Sequence, residues 1–173
     1  PAQFRDVLSR LNGHKLPVVI SSPGGRLSAA LSIGRMIRKH GLDVTVQGTC
    51  TSACPFVLAG GVERHAAPGA VVGVHQALMI RSGSAEANAD GKQLLANSKA
   101  TARQFRLMRS KLRSYLGEMG VSPELASEME KASPFEMNVL SLQRLQELKL
   151  VTAEAAEVKP SSDILTSSME PLP

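Results

Sequence analysis

Three short segments of this 173-residue chain carry residue types that could carry out acyl transfer together. Residues 22–25 read Ser-Pro-Gly-Gly, Ser52 lies in a Gly- and Cys-containing segment at 48–54, and His75 follows an apolar run at 71–74. A serine hydroxyl becomes a nucleophile when a neighbouring imidazole accepts its proton, which imidazole can do near neutral pH. Backbone N–H groups in tight turns could hold the resulting oxyanion. The pattern therefore predicts a serine hydrolase if the fold brings the three segments together.

Each segment also has an ordinary structural interpretation. The turn at 22–25 could simply connect a strand to a helix, and Ser52 could be a helix N-cap, which is the commoner role of such a serine. His75 could equally be a hydrogen-bonded histidine of the core. The other three histidines lie in or beside turns among polar neighbours, so we assign no role to His14, His40 and His65.

The hydrophobic pattern predicts alternating strands and helices that would position these segments. The predicted elements are strands at 16–20, 43–47 and 70–75, helices at 28–40 and 55–59, and a tight turn at 48–52. This order is typical of right-handed crossover units on a largely parallel sheet. The turns that follow parallel strands meet at one edge of the sheet, where open α/β folds bind their ligands.

The remaining predicted elements are mainly helical. They are an amphipathic helix over the first twelve residues, a long helix at 93–119 and a further helix at 141–150. One face of the long helix is apolar, and the other is basic and is interpreted as a solvated surface: Lys99, Arg103, Arg106, Arg109 and Arg113. We expect a single domain over residues 1–159 and a disordered Ser- and Pro-rich tail at 160–173.

Composition limits the classes of function. With 43% hydrophobic and 20% charged residues, the chain is expected to be globular, and no apolar run is long enough to span a membrane. A net charge of +5 suggests nucleic-acid binding as one possible function. The 3% aromatic content argues against stacking on bases, so nucleic acid is not expected as a partner. Neither a metal site nor a cofactor is predicted, because the four histidines and two cysteines lack metal-ligand spacing.

In this order and spacing, the three segments resemble the proteolytic subunits of the ClpP/crotonase superfamily. The similarity runs from about residue 18 to residue 76, and continues more weakly at 140–141 and 148–151. It implies an α/β fold of the ClpP/crotonase type, with βαβ units on a mostly parallel sheet and a long helix in the handle region. It also implies a serine peptidase that acts on peptides or proteins and forms a homo-oligomer.

The resemblance assigns roles to individual residues. Ser52 would be the nucleophile and His75 the general base, and the N–H groups of Gly25 and Ala53 would form the oxyanion hole. The Cys-x-Ser-Ala-Cys form of the Ser52 turn is similar to uncharacterised ClpP-like bacterial proteins predicted to be periplasmic, which implies export. Cys50 and Cys54 could form a disulfide or remain as two buried thiols, and the sequence leaves both possibilities open.

One departure from the family pattern puts the catalytic triad in question. Where the family has an aspartate that orients the histidine, the ungapped register places Met137, flanked by Glu136 and Asn138. Asn138 could replace the aspartate after a shift of one residue. The alternative is a catalytically silent member of the fold that binds a peptide or a partner protein. A third possibility is the crotonase branch, which acts on acyl-CoA thioesters, although the Ser/His pair counts against it.

Overall fold

A five-stranded, mostly parallel sheet lies at the centre of the computed structural model, which describes residues 1–11, 13–76 and 99–152. The strand order is β1-β2-β4-β5, and β3 also pairs with β2. All strand pairs are parallel except β4 with β5. The strands are β1 (Val18–Ser22), β2 (Val44–Thr51), β3 (Arg64–Ala66), β4 (Val71–Val74) and β5 (Asn138–Val139). The predicted α/β class and mostly parallel sheet are confirmed.

Six α-helices surround this sheet in the described part of the chain. They are α1 (Ala2–Arg10), α2 (Leu27–Lys39), α3 (Cys54–Leu58), α4 (Lys99–Glu118), α5 (Leu125–Glu128) and α6 (Leu142–Glu147), with one 3₁₀ turn at Met129–Lys131. The Ser141 hydroxyl caps α6 by accepting a hydrogen bond from the Arg144 N–H. None of the described helices combines the length and the apolar character needed to cross a bilayer.

Two sequence predictions about the strands were wrong. The tight turn expected at 48–52 is instead the end of β2, which continues to Thr51. The strand changes partners along its length: residues 44–46 pair with β3, and residues 49–51 pair with β4. Gly48, with a φ of +88°, allows the irregularity between the two parts. The short strand β3 was not predicted, while the predictions for 93–98 and for the tail fall outside the described residues.

The core is built mainly from aliphatic side chains of the strands and helices, together with the aromatic rings of Phe56 and Tyr115. Val44 and Val46 of β2 are fully buried, as are Phe56 and Leu58 of α3. This burial agrees with the continuously apolar sequence of α3, since such a helix has no polar face to present to water. α4 packs on the same core, and its buried side chains recur at helical spacing: Leu112, Tyr115 and Leu116.

A buried hydrogen bond connects the long helix to α3. The Tyr115 hydroxyl donates to the Phe56 main-chain oxygen at 2.5 Å. α3 has only five residues, so its last carbonyls need partners from outside the helix. Gly34 of α2 makes the space, because a Cβ there would overlap the Tyr115 hydroxyl. Burial raises the pKa of Tyr115, so the phenol remains a donor across the neutral pH range.

We expect Tyr115→Phe to lower the free energy of unfolding by about 1–3 kcal/mol, because the buried Phe56 carbonyl loses this donor. The measurement is urea unfolding followed by circular dichroism. Ser114→Ala, at an exposed neighbouring position of α4, is the control and is expected to leave stability unchanged. Equal midpoints for Tyr115→Phe and the wild type would contradict the role assigned to this bond.

Candidate active site

Ser52 lies in a sharp turn between the end of β2 and the start of α3. Its φ is +60°, in the left-handed region that residues other than glycine rarely adopt. The Ser52 N–H donates to the Gly73 main-chain oxygen at 3.0 Å, which attaches the turn to β4. The chain reversal leaves Ser52 half-buried at the carboxyl end of the sheet.

His75 comes directly after β4, on the strand that pairs with the end of β2. Thr51 and Gly73 are register partners, so the residues that follow them leave the sheet side by side. His75 Nε2 lies 2.8 Å from Ser52 Oγ, a hydrogen-bond distance at which the hydroxyl can donate to the imidazole. The structure therefore brings together Ser52 and His75, which are 23 residues apart in the chain.

The Pro-Gly-Gly turn packs against the Ser52 turn. Gly24 has a φ of +112°, and a Cβ at this position would lie 2.6 Å from Ser52 Cβ and 2.8 Å from the Thr51 oxygen. Only glycine permits this approach. Gly25 has a φ of +144°, and a Cβ there would meet no atom within 4 Å. The sequence indicated the double glycine as a candidate oxyanion loop, with Gly25 as the donor. The close approach of Gly24 to Ser52 was not predicted, and its signal was its place in a double glycine after a strand.

A small cleft lies beside the Pro-Gly-Gly turn and the Ser52 turn. Its volume is about 170 Å³, and Gly24, Gly25 and Ala53 contribute to its wall. The two residues predicted to supply oxyanion-hole N–H groups, Gly25 and Ala53, thus border one cavity. Most of the other lining residues are small or aliphatic, among them Ile20, Ala29, Ile33 and Val57. The cleft is suited to an apolar side chain.

Cys50 and Cys54 stand on either side of Ser52, and the structure joins their sulfur atoms in a disulfide. The sequence left this pairing open. Cys50 is held in the sheet between Ser22 of β1 and Val72 of β4, while Cys54 is the first residue of α3. Both cysteines are almost completely buried. The disulfide therefore ties the end of β2 to the start of α3 across the Ser52 turn.

Asn138, the possible third member, has its hydrogen bonds elsewhere. Its side-chain amide donates to the main-chain oxygen of Glu128 at 3.0 Å and to the Glu128 carboxylate at 3.1 Å. Glu128 is 3% exposed. Burial alone would raise the pKa of Glu128, but hydrogen bonds from Lys131, Arg144 and Asn138 lower it further than burial raises it. Asn138 therefore belongs to this buried ionic network, and the structure does not join its amide to His75.

Met137 directly precedes β5, as His75 directly follows β4. β4 and β5 pair Gly73 with Val139 and Val74 with Asn138, and the same register continued by one step sets Met137 against His75. A Cβ on Gly73 would lie 2.7 Å from Met137 Cγ, so the methionine side chain covers Gly73 on the sheet face that His75 shares. The other ring nitrogen of His75, Nδ1, lies 2.7 Å from the main-chain oxygen of Gln76.

The basic face of α4 is exposed, as the sequence predicts, at Arg103, Arg106, Arg109 and Arg113. Arg109 forms an ion pair with Glu130.

Within the described residues, no group of three or more His, Cys, Asp or Glu side chains is arranged to hold a metal ion.

Comparison with known proteins gives one result at the level of the family. The model of the family described as Clp protease matches residues 7–115, well over half of the chain. The matched region includes the Pro-Gly-Gly turn, Ser52 and His75. No curated protein matches the chain.

Proposed function

Because this chain belongs to the Clp protease family, we propose that it is a serine peptidase in which Ser52 attacks the carbonyl carbon of a peptide bond. The observation that carries the proposal is the 2.8 Å separation between Ser52 Oγ and His75 Nε2, at a turn with a positive φ. A serine that only caps a helix needs neither the imidazole nor this backbone conformation.

The geometry supports a two-step acyl transfer. Ser52 Oγ passes its proton to His75 Nε2 as the Oγ–C bond forms, and the carbonyl electron pair moves to the oxygen. The N–H groups of Gly25 and Ala53 would stabilise this oxyanion, each by about 3 kcal/mol in the transition state. The C–N bond then breaks as the imidazolium returns the proton to the leaving amine. Water, deprotonated by His75, releases the acyl group and regenerates Ser52.

The cleft beside the oxyanion site supports a preference for an apolar residue next to the scissile bond. Its 170 Å³ are bordered by aliphatic side chains and by Gly24 and Gly25. We propose peptides or proteins as substrates, with a small or medium aliphatic side chain in this cleft.

A fluorophosphonate probe tests the nucleophile directly, since it reacts with an activated serine and reports no other step. Wild type is expected to be labelled, and Ser52→Ala is not. Ser28→Ala, at an exposed position near the start of α2, is the matched control and should be labelled like wild type. An unlabelled wild type, or equal labelling of Ser52→Ala, would refute the assignment.

One observation favours a second candidate, a catalytically silent member of the family that binds peptides at the same cleft. Met137 lies in the register position opposite His75, where an orienting carboxylate is expected. The short Ser52–His75 distance favours the enzyme over this alternative. Peptide binding measured by fluorescence anisotropy, with no probe labelling and no hydrolysis, would identify the silent binder.

We also propose that the protein works in an oxidising compartment such as the bacterial periplasm. The support is the Cys50–Cys54 disulfide, because such bonds persist where no thiol system reduces them.

Protein is isolated from its native compartment in the presence of a thiol-alkylating reagent. Neither Cys50 nor Cys54 is expected to be alkylated until the protein has been denatured and reduced. The double variant Cys50→Ala/Cys54→Ala should lose about 2 kcal/mol of stability by denaturant unfolding, because the five-residue loop is no longer closed in the unfolded chain. Two free thiols in the native protein would count against this compartment.

A homo-oligomer is proposed as the working assembly. Three exposed apolar side chains occupy alternate positions in and just before β5: Phe135 at 67% exposure, Met137 and Val139 at 58% exposure. Apolar groups clustered on a surface often mark a protein contact. Light scattering coupled to gel filtration gives the mass, and a monomer at micromolar concentration would contradict the proposal.

A further inference from the structure

Among the described residues, the hydrogen-bond partner of His75 Nδ1 is a main-chain oxygen and not a carboxylate. Nδ1 lies 2.7 Å from the Gln76 main-chain oxygen, and a carbonyl oxygen can only accept a hydrogen bond. At that distance Nδ1 carries the proton, which leaves Nε2 with a lone pair. Nε2 is the nitrogen 2.8 Å from Ser52 Oγ, so this tautomer is the one able to accept the serine proton.

We propose that the main-chain carbonyl of Gln76 holds His75 in its active tautomer, in place of an orienting carboxylate. This inference rests on the proposed peptidase function. In a triad enzyme, the carboxylate fixes the tautomer and orientation of the imidazole and stabilises the imidazolium that forms. The carbonyl dipole can fix the tautomer and the orientation of the imidazole. It stabilises the imidazolium less than a carboxylate does, because it bears no full charge.

The neighbouring carboxylates that the structure describes are engaged elsewhere. Glu128 accepts hydrogen bonds from Lys131, Arg144 and Asn138. Glu130 forms an ion pair with Arg109, and Glu136 accepts from the Ser133 N–H. Continuing the β4–β5 register by one step sets Met137 opposite His75, and the Met137 thioether is at best a weak acceptor. Gln76 O is therefore the acceptor that the structure provides to Nδ1.

Gln76 is held from two sides by the segment that follows α5. Its N–H donates to the Ala132 oxygen at 3.3 Å, and its side-chain amide donates to the Glu130 oxygen at 3.4 Å. Both acceptors belong to the segment that follows α5. This segment thus braces the residue whose carbonyl meets the imidazole, and the Gln76 side chain acts as a positioning group.

Nitrogen-15 NMR of the full chain, labelled at the histidine ring nitrogens, measures the tautomer of His75 without any substrate. The signals of His75 are assigned as those missing from His75→Gln. In the neutral imidazole, Nδ1 is expected to carry the proton and Nε2 is not. Gln76→Ala should reduce the Nδ1–H population and lower kcat about five- to tenfold with KM little changed. Gln143→Ala, an exposed glutamine on α6, is the control and should change neither quantity.

The competing explanation is a hidden carboxylate partner, and amide variants test it. Glu130→Gln and Glu136→Gln are expected to leave the tautomer and kcat as in wild type. A wild-type His75 protonated on Nε2, or a tautomer change in either glutamate variant, would overturn the inference. A Gln76→Ala variant indistinguishable from wild type in both readouts would overturn the positioning role of the Gln76 side chain, because this variant keeps the main-chain carbonyl. If the tautomer is as expected but the fluorophosphonate probe does not label Ser52, only the peptidase proposal fails.

Discussion

Ser52→Ala is expected to lower kcat by about 10⁴- to 10⁶-fold on a peptide substrate with an aliphatic residue before the scissile bond. In the proposed mechanism the Ser52 hydroxyl forms the acyl-enzyme, so what remains without it is the effect of binding and of the oxyanion donors on attack by water. His75→Ala should lose activity to a similar extent. The double variant should lose little more, because the two residues act as one unit.

A third substitution at Ser52 separates loss of activity from loss of structure. Ser52 has a φ of +60°, which costs a residue with a Cβ about 1–2 kcal/mol. Ser52→Gly is therefore expected to be as inactive as Ser52→Ala yet more stable than it by about 1 kcal/mol. Fluorogenic peptide assays and urea unfolding on the same preparations give both quantities. Activity above one-tenth of wild type in Ser52→Ala would contradict the mechanism.

Gly24→Ala is expected to lower kcat by about 10²- to 10³-fold, the effect of losing one oxyanion donor. The new Cβ would come within 2.8 Å of the Thr51 oxygen and 3.0 Å of the Ala53 nitrogen. These are main-chain atoms of the Ser52 turn, so the clash is relieved only by separating the two turns. Such a shift moves the predicted Gly25 and Ala53 donors away from the developing oxyanion.

Gly69→Ala is the matched control for this effect. Gly69 also has a positive φ, +76°, but a Cβ there meets no atom within 4 Å. Gly69→Ala should lose about 1 kcal/mol of stability from backbone strain, and Gly24→Ala should lose more because its Cβ also meets main-chain atoms. Only Gly24→Ala should lose activity. Steady-state kinetics with stability measured in parallel makes the comparison. Equal kcat values for the two variants would show that the contact between the turns does not matter for catalysis.

The periodic parts of the fold were readable from sequence because they depend on local patterns. The spacing of apolar side chains predicted α2 within one residue at each end, and the continuously apolar segment at 55–59 marked α3 as a buried helix. The same pattern could not reveal that β2 continues past Gly48. That extension depends on a second partner strand, β4, which begins some twenty residues later.

The residue types in the chain limit which chemistry is available: a serine and a histidine that each follow a predicted strand, and a double glycine after an earlier strand. The tertiary structure decided the contacts among them. In the folded chain, the Ser52 hydroxyl lies within hydrogen-bond distance of His75, and Gly24 packs closely against the Ser52 turn. The Asn138 amide donates to Glu128, and His75 Nδ1 contacts the Gln76 carbonyl. Hydrophobic periodicity is a property of neighbouring residues, whereas hydrogen bonds between side chains depend on strand register and on rotamers, which only the packed chain defines.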